Sequence, residues 1–477
     1  MRYVTYSVLS LLLVLALWDH PFIEAADPSQ ELADTYWEQA KTLEKQSKYL
    51  EAAQLYEKSL ESEKASPNPR LASLASELNQ SAYCFIQVGQ IDKGLAYYQE
   101  ALEIFQQSDK QPQTATLLSN IGAAYRERGD YEQALDYYQR ALEIDRTLKN
   151  DERIAIRLNN LGQMYNDRGQ YAAAIEYFQQ ALELNTKLAK TTSISINLNN
   201  LGFAHSSLGN YAQAIDCYER ALALDREADQ KINIAIRLSN IGAVYNAWGQ
   251  YERALEYFEQ ALTQNQQLQR KTGIAISLSN IGAIYHHLTE YDKAISYYGQ
   301  AIELNRELGR DAGIATNLNN IGAVYMSWGK HEDALKAYEQ ALALDRATGR
   351  NAGIAGDLNN IGLVYKTWGK YDEALKYLEH ALDLDLRSGS KSDMVVRLNN
   401  IGLVYKAQNR YDKALNYFEQ ALALNQELGQ PGGVAVNLSN IGNIYQAWGQ
   451  HKKALTITPG RWNCTARPGR TMKSRCI

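Results

Sequence analysis

Apolar residues recur along most of this chain at the spacing of one helix face. Leu318, Ile321, Gly322 and Tyr325 fall at i, i+3, i+4 and i+7, which predicts a helix with one buried stripe. Gly329 follows and is expected to end that helix, because glycine enters the left-handed conformation at little cost. A second stripe then begins: Ala334, Leu335, Tyr338, Ala341 and Leu342 share a face, with Gly349 and Gly353 expected to punctuate its end. The small residues at Gly322, Ala334 and Ala341 mark where the two helices cross, since close approach requires small side chains.

This helix pair is repeated. Gly122, Gly162, Gly202, Gly242, Gly282, Gly322, Gly362, Gly402 and Gly442 stand 40 residues apart without a slip, each preceded by Ile or Leu and, before that, by Asn. Two looser units come first, one around Tyr49, Ala52 and Tyr56, the other around Leu78, Ala82, Gly89 and Tyr98. The reading is ten complete units and a broken eleventh. It places irregular units at residues 33–114, regular ones at 115–434 and the incomplete one at 435–455. No proline occurs between Pro112 and Pro431, as continuous helix demands, since each would cost about 3 kcal/mol. Tyrosine outnumbers phenylalanine 33 to 7, mostly in the columns headed by Tyr125, Tyr131 and Tyr138, where a large ring fills the space around a crossing.

The pattern Leu-x-x-Ile-Gly-x-x-Tyr, Gly-x-Tyr-x-x-Ala, Tyr-x-x-Ala-Leu resembles the tetratricopeptide repeat, from residue 33 to about 455. The common repeat has about 34 residues; here it is longer, and the proline that usually ends the second helix is replaced, for example by Arg146 or Arg346. A longer second helix is expected. Units of this length are similar to those of kinesin light chains, of cell-polarity adaptors with Leu-Gly-Asn repeats, and of the repeat arms of bacterial proteins that end in a caspase-like CHAT peptidase domain. The resemblance implies an all-α, right-handed superhelical solenoid of antiparallel helix pairs, with first helices lining a concave groove that takes an extended peptide or a partner helix.

Within that frame one column stands out. Asn120, Asn160, Asn200, Asn240, Asn280, Asn320, Asn360, Asn400 and Asn440 occupy the same place in successive first helices. An amide offers two donors and an acceptor, which suits a ligand's main chain and equally suits a bond to the neighbouring helix. The resemblance implies the first role. Two turns further on lie Arg126, Asn166, Ser206, Asn246, His286, Met326, Lys366, Lys406 and Gln446. Lys366 and Lys406 either favour acidic residues in a ligand or form a solvated face. His286 and His287 are consecutive and are expected to diverge. Trp248, Trp328, Trp368 and Trp448 precede the turn glycine and are expected to pack the turn. The carboxylates recur once per unit, as at Glu259, Glu339 and Glu419, whereas an active site is a singular feature. No enzymatic activity, cofactor or metal site is expected.

Composition narrows the rest. The net charge is −5, without a large single-sign field, so nucleic acid is not an expected partner. Cys84 and Cys217 lie in apolar helical patterns and are expected to be buried, inert thiols. Residues 1–25 read as a secretory signal with cleavage after Ala25, the alternative being an uncleaved anchor, and residues 26–32 as a short linker. The mature chain is then secreted or periplasmic, with no further membrane span. From residue 456 the sequence leaves the repeat pattern: TITPGRWNCTARPGRTMKSRCI holds five Lys or Arg, no Asp or Glu, and two of the four cysteines. Pro459-Gly460 breaks an expected helix, so the tail is expected to be disordered and to reflect a frameshift or early gene end. The alternative is a native basic tail. The functional expectation is an exported scaffold that binds a peptide or protein. Two rivals are the regulatory arm of a peptidase whose catalytic domain is missing, and an array that self-associates through its exposed C-terminal end.

Overall fold

The computed structural model describes residues 27–457, and the signal and basic-tail expectations lie almost wholly outside them. Among the described residues there are 22 helices and no strand. The chain divides into two compact units, with the boundary after Met164. The first contains α1 (Pro28–Lys45), α2 (Tyr49–Ala65), α3 (Leu71–Gln87), α4 (Ile91–Gln107), α5 (Gln111–Arg128) and α6 (Tyr131–Thr147), and α7 (Asp151–Asp167) runs across the boundary. The second holds α8 (Tyr171–Lys187), α9 (Thr191–Ser207), α10 (Tyr211–Glu227), α11 (Lys231–Ala247), α12 (Tyr251–Gln267), α13 (Lys271–His287), α14 (Tyr291–Glu307) and α15 (Asp311–Ser327). It continues through α16 (His331–Ala347), α17 (Asn351–Thr367), α18 (Tyr371–Ser388), α19 (Lys391–Ala407), α20 (Tyr411–Glu427), α21 (Pro431–Ala447) and the short α22 (His451–Ile457).

Each unit is thus a stack of antiparallel helix pairs, odd-numbered helices first and even-numbered second. Within a pair the crossing is set by a missing side chain. A β-carbon on Gly322 would sit 2.5 Å from the Tyr338 ring, and one on Gly402 would sit 2.8 Å from Phe418. The second-helix ring therefore lies directly on the first-helix backbone. Ala334 and Ala341, the other small columns, are completely buried. Tyrosine rings continue the packing: Tyr125 stacks on Tyr137 at 5.4 Å and Tyr285 on Tyr297 at 5.3 Å, ring centre to ring centre. Cys84 and Cys217 are buried thiols, and burial pushes Cys217 up to about 11.

Each pair then packs its second helix on the next pair's first helix, and neighbouring first helices also touch, as α11 touches α13 and α15 touches α17. Within each unit, an internal pair has one side covered by the pair before and the other by the pair after. A lone pair would leave its apolar stripe in water, and this stacking is what makes the repeat stable.

Four expectations change. Residues 28–32, read as linker, are the first turn of α1: Pro28 is well suited to a helix start, and the Asp27 side chain accepts from Ser29 N at 3.2 Å. The added length does not fall on the second helix alone. Both helices of most pairs have 17 residues, as in α9 and α10. Gly353 does not end a helix; it lies inside α17, where a β-carbon would meet Asp345 Oδ2 of α16. His286 and His287 do not diverge: their rings lie nearly parallel, 6.0 Å apart, and Tyr251 stacks on His287 at 5.1 Å.

The crossing predicts opposite outcomes for two substitutions. Gly322→Ala forces Tyr338 off its seat and should cost about 1–3 kcal/mol, read as a lower unfolding midpoint. Ala189 holds a left-handed turn with φ of 54°. Ala189→Gly relieves a strain of about 1–2 kcal/mol there and should not lower the midpoint.

Candidate functional site: the exposed face of the first helices

Stacking leaves one face of each first helix uncovered. Along α11 that face runs through Ile236, Asn240 and Ala243 at i, i+4 and i+7, with Asn246 at its border. The same positions recur in later pairs. Ile276 is 48% exposed and Val436 is 57% exposed, and Ile236 and Val396 are exposed as well. An aliphatic row, an asparagine row and a row of varied side chains therefore lie side by side. The sequence reading missed the aliphatic row. Its signal was a β-branched residue four positions before eight of the nine asparagines, Gly356 being the exception, outside the buried stripe.

The asparagine row is bonded from helix to helix. In the first unit Asn120 Nδ2 donates to Asn79 Oδ1 at 3.0 Å, and Asn160 Nδ2 to Ser119 Oγ at 3.1 Å. In the second, Asn240 Nδ2 donates to Asn199 Oδ1 at 2.9 Å, Asn360 to Asn319 at 3.2 Å, Asn400 to Asn359 at 2.7 Å and Asn440 to Asn399 at 3.5 Å. Each time the acceptor stands one residue before the equivalent position of the preceding repeat, which is an asparagine in all but the first case, Gln80. Asn200 accepts from its neighbour Asn199 at 3.3 Å. Asn280 and Asn320 break the pattern: Ser239 and Ser279 stand opposite them, and neither amide donates to its serine as Asn160 does to Ser119. The Ser239 hydroxyl donates to Ala235 O of its own helix at 3.0 Å, and the Ser279 hydroxyl lies 2.9 Å from Ala275 O and 2.7 Å from Asn317 Oδ1 of α15.

Beneath this row runs a buried polar seam that the sequence reading also missed. It joins a second helix to the next first helix through residues twelve apart. Arg157, only 1% exposed, donates to Asp145 at 2.8 Å. Arg237 donates to Asp225 at 3.0 Å and Arg397 to Asp385 at 3.1 Å. In other junctions both partners are neutral: Asn185 donates to Asn197 at 2.7 Å, Asn265 to Ser277 at 3.3 Å and Asn425 to Asn437 at 2.5 Å. Burial pushes the Arg157 and Arg237 guanidinium groups down, and their Asp partners oppose it. The seam reaches the exposed row. Asn199 Oδ1 accepts from Arg237 at 2.8 Å as well as from Asn240, and Asn399 accepts from Asn437 at 2.7 Å. The signal was there to read, because residue types twelve apart are matched in charge.

Lys366 and Lys406 occupy the same position on the successive first helices α17 and α19, both half-buried. Burial lowers Lys366 first, and the Lys406 charge adds to it. Neither forms an ion pair, whereas Lys271 meets Glu307 at 2.8 Å and Lys64 meets Glu100 at 2.6 Å. At the same position on α11, Asn246 Oδ1 is buried without a hydrogen-bond partner. The tryptophans pack against the preceding pair: Trp248 meets Tyr211 at 5.9 Å, Trp328 meets Tyr291 at 5.4 Å and Trp448 meets Tyr411 at 6.0 Å. Among the described residues no cluster of His, Cys, Asp and Glu has the makings of a metal site, and no helix is long and apolar enough to cross a membrane.

A tetratricopeptide repeat model matches residues 73–147, 193–267, 273–347 and 394–457, and further models of the same repeat match 155–187 and 358–387. The chain belongs to the tetratricopeptide repeat family. Among solved structures the array is similar to BtubC (BKLC) from P. vanneervenii, at 22% identity and a TM-score of 0.41, over 48% of this chain and 98% of that one. It is also similar to aspartyl phosphate phosphatase F from Bacillus subtilis, at 16% identity and a TM-score of 0.47, over 85% and 96%. A third is the apo form of the quorum sensor NprR from B. thuringiensis, at 16% identity and a TM-score of 0.46, over 74% and 97%. No curated protein matches the chain.

The seam of this tetratricopeptide array makes a paired prediction. Arg237→Asn leaves Asp225 buried without its cation and should cost about 3–5 kcal/mol in denaturant unfolding. Adding Asp225→Asn recreates the neutral pairing of Asn425 with Asn437 and should recover most of that loss. A double variant as unstable as the single one contradicts a matched seam.

Proposed function

We propose that the array binds an extended peptide, or an extended segment of a partner protein, along the exposed face of its first helices. The observation that carries this reading is that stacking leaves this face uncovered in pair after pair, with the same residue types in register. The family membership supports it, since repeat solenoids present long regular surfaces of this kind. The roles divide along the face. Asn280 and Asn320, whose side chains make no bond to a neighbouring helix, pair with the ligand's main chain, for which an amide has both donors and an acceptor. Six of the other asparagines spend a donor on the neighbouring helix and keep further capacity for the ligand. Lys366 and Lys406, unpaired and half-buried, take acidic side chains, and the aliphatic row takes apolar ones.

Export belongs to the same proposal. The apolar run from Val8 to Leu17 acts as a signal, and the mature chain starts at Ala26. Edman sequencing of the protein from its native source should read Ala-Asp-Pro-Ser-Gln. An intact Met1 would contradict cleavage.

Binding is tested by selecting peptides on the array from a displayed random library. Selected sequences should be enriched in Asp and Glu alternating with aliphatic residues. Replacing Asn280 and Asn320 with Ala should weaken the selected peptide about tenfold or more while barely moving the unfolding midpoint, because an amide bond to a ligand contributes about 1 kcal/mol or more. Asn240→Ala, by contrast, should lower the midpoint. Charge reversal at Lys366 and Lys406 should abolish the acidic preference. Unchanged affinity in both sets of variants removes the proposal.

A further inference from the structure

Seven of the eight seam pairs between residues 145 and 437 set Asp against Arg or one neutral side chain against another. The eighth does not. Asp345 of α16 holds the place of Asp225 and Asp385, but residue 357 of α17 is Asp where α11 and α19 have Arg. Both carboxyl groups are buried, at 1% and 0% exposure. The cation comes from the turn between the helices instead: Arg350 Nη1 donates to Asp345 Oδ1 at 2.8 Å. Asp357 Oδ1 accepts from Asn319 Nδ2 of α15 at 2.6 Å, and its Oδ2 is buried without a partner.

The same arrangement occurs in the other unit. Glu63 of α2 and Glu77 of α3 are 0% and 2% exposed, and Arg70, between the two helices, pairs with Glu63 at 2.6 Å and with Asp34 at 2.8 Å. Glu77 accepts from Ser59 Oγ at 3.0 Å and Ser73 Oγ at 3.2 Å. In both junctions one arginine serves the first carboxylate and leaves the second with neutral partners. A second buried negative charge there is costly, and the group avoids the cost by holding a proton.

We propose that the α16–α17 and α2–α3 junctions are proton-operated joints, each closed around one protonated carboxyl group, Asp357 or Glu77, and loosened when that group ionises.

The charged groups acting on Asp357 are Asp345 from α16, which opposes ionisation, and Arg350 from the turn, which favours it. α15 contributes only the neutral Asn319, and α18 and α19 contribute no charge. On Glu77 the corresponding groups are Glu63 and Arg70, beside the Ser59 and Ser73 hydroxyls. Burial is the largest influence in both, and it pushes each carboxyl up to about 7. The sign follows from linkage. A carboxyl raised in the folded state contributes stability that is fully present below its ordinary value near 4. That stability is lost progressively as pH rises toward about 7. The joint at Asp357 also connects to the exposed face, since Asn319 Oδ1 accepts from Asn360 Nδ2. Ionisation there disturbs the helix that carries Asn360 and Lys366.

The test compares unfolding midpoints of the full chain and of Asp357→Asn and Glu77→Gln at about pH 5 and about pH 8, either side of the titration. Each variant mimics the protonated group at every pH. Each should gain on the wild type by roughly 2–4 °C between the two conditions. A gap that stays the same at both pH values overturns the proposal. A second measurement stands if a variant fails to fold. Amide exchange in the wild-type α16–α17 segment, corrected for the intrinsic pH dependence, should accelerate about tenfold between those conditions, a change worth roughly 1.4 kcal/mol. The α12–α13 segment, where Asn265 meets Ser277, should not change. Equal behaviour of the two segments also overturns it.

Discussion

The regular pairs of this array depend on a bulky second-helix side chain, an aromatic ring or, on Gly362, Leu378, lying on a helix backbone where no side chain stands. Tyr338 on Gly322, Tyr298 on Gly282 and Phe258 on Gly242 bring the two helices of a pair close enough to share one apolar layer. That closeness fixes which face of the second helix is left over. The leftover face holds Leu342 and its equivalents, and another copy of the pair buries it, as Leu342 clusters with Ala355 and Leu358. The repeat is therefore a consequence of the crossing. Each pair buries its neighbour's surface and offers a new one, and what remains uncovered is one face of the first helices and a charged face of the second, as at Glu256 of α12.

The polar seam adds selectivity to this apolar adhesion. Buried ion pairs contribute little net stability, because desolvation offsets most of the attraction, but a mismatched pair is strongly penalised. Here the matching is local to each junction. Sliding one pair along by a single repeat would bring Asp225 against Ser277, or Asn265 against Arg237, and strand a buried charge in either case. Short turns already hold successive pairs together, and the seam adds a penalty against any misassembled junction between nearly identical apolar columns. The seam is thus read as a registration device, and the two junctions with surplus carboxyl groups are where that device depends on a proton.

Much of this was legible in the sequence. The helix pairs, the turn glycines at Gly329 and Gly369, and the tyrosines as packing residues all follow from periodicity, because burial imposes a spacing and spacing is visible. What was hidden involves contacts between elements. Gly353 looked like a helix end because glycine usually is one; its role, making room for Asp345, requires knowing which second helix faces it. His286 and His287 were expected to diverge on a helix, yet Tyr251 from the preceding pair draws one ring into a stack. The asparagine column invited two readings. The structure shows six of its nine members donating to the adjacent first helix, a partner 41 residues away that no single helix pattern reveals. The seam was visible in principle, since it is written as matched residue types twelve apart, but only pairs of positions carry it, never one column alone.

The central claim is that the uncovered face of the first helices is where a partner sits, while the second helices serve the stack. Site-directed photo-cross-linking tests it most directly. A benzophenone side chain is placed at Ala243 or Ala283 on first helices, and at the exposed Glu256 on the second helix α12, and each protein is irradiated with a bound peptide. The account predicts cross-linked peptide from the Ala243 and Ala283 positions and none from Glu256. Cross-linking from Glu256 with none from the first-helix positions would contradict it.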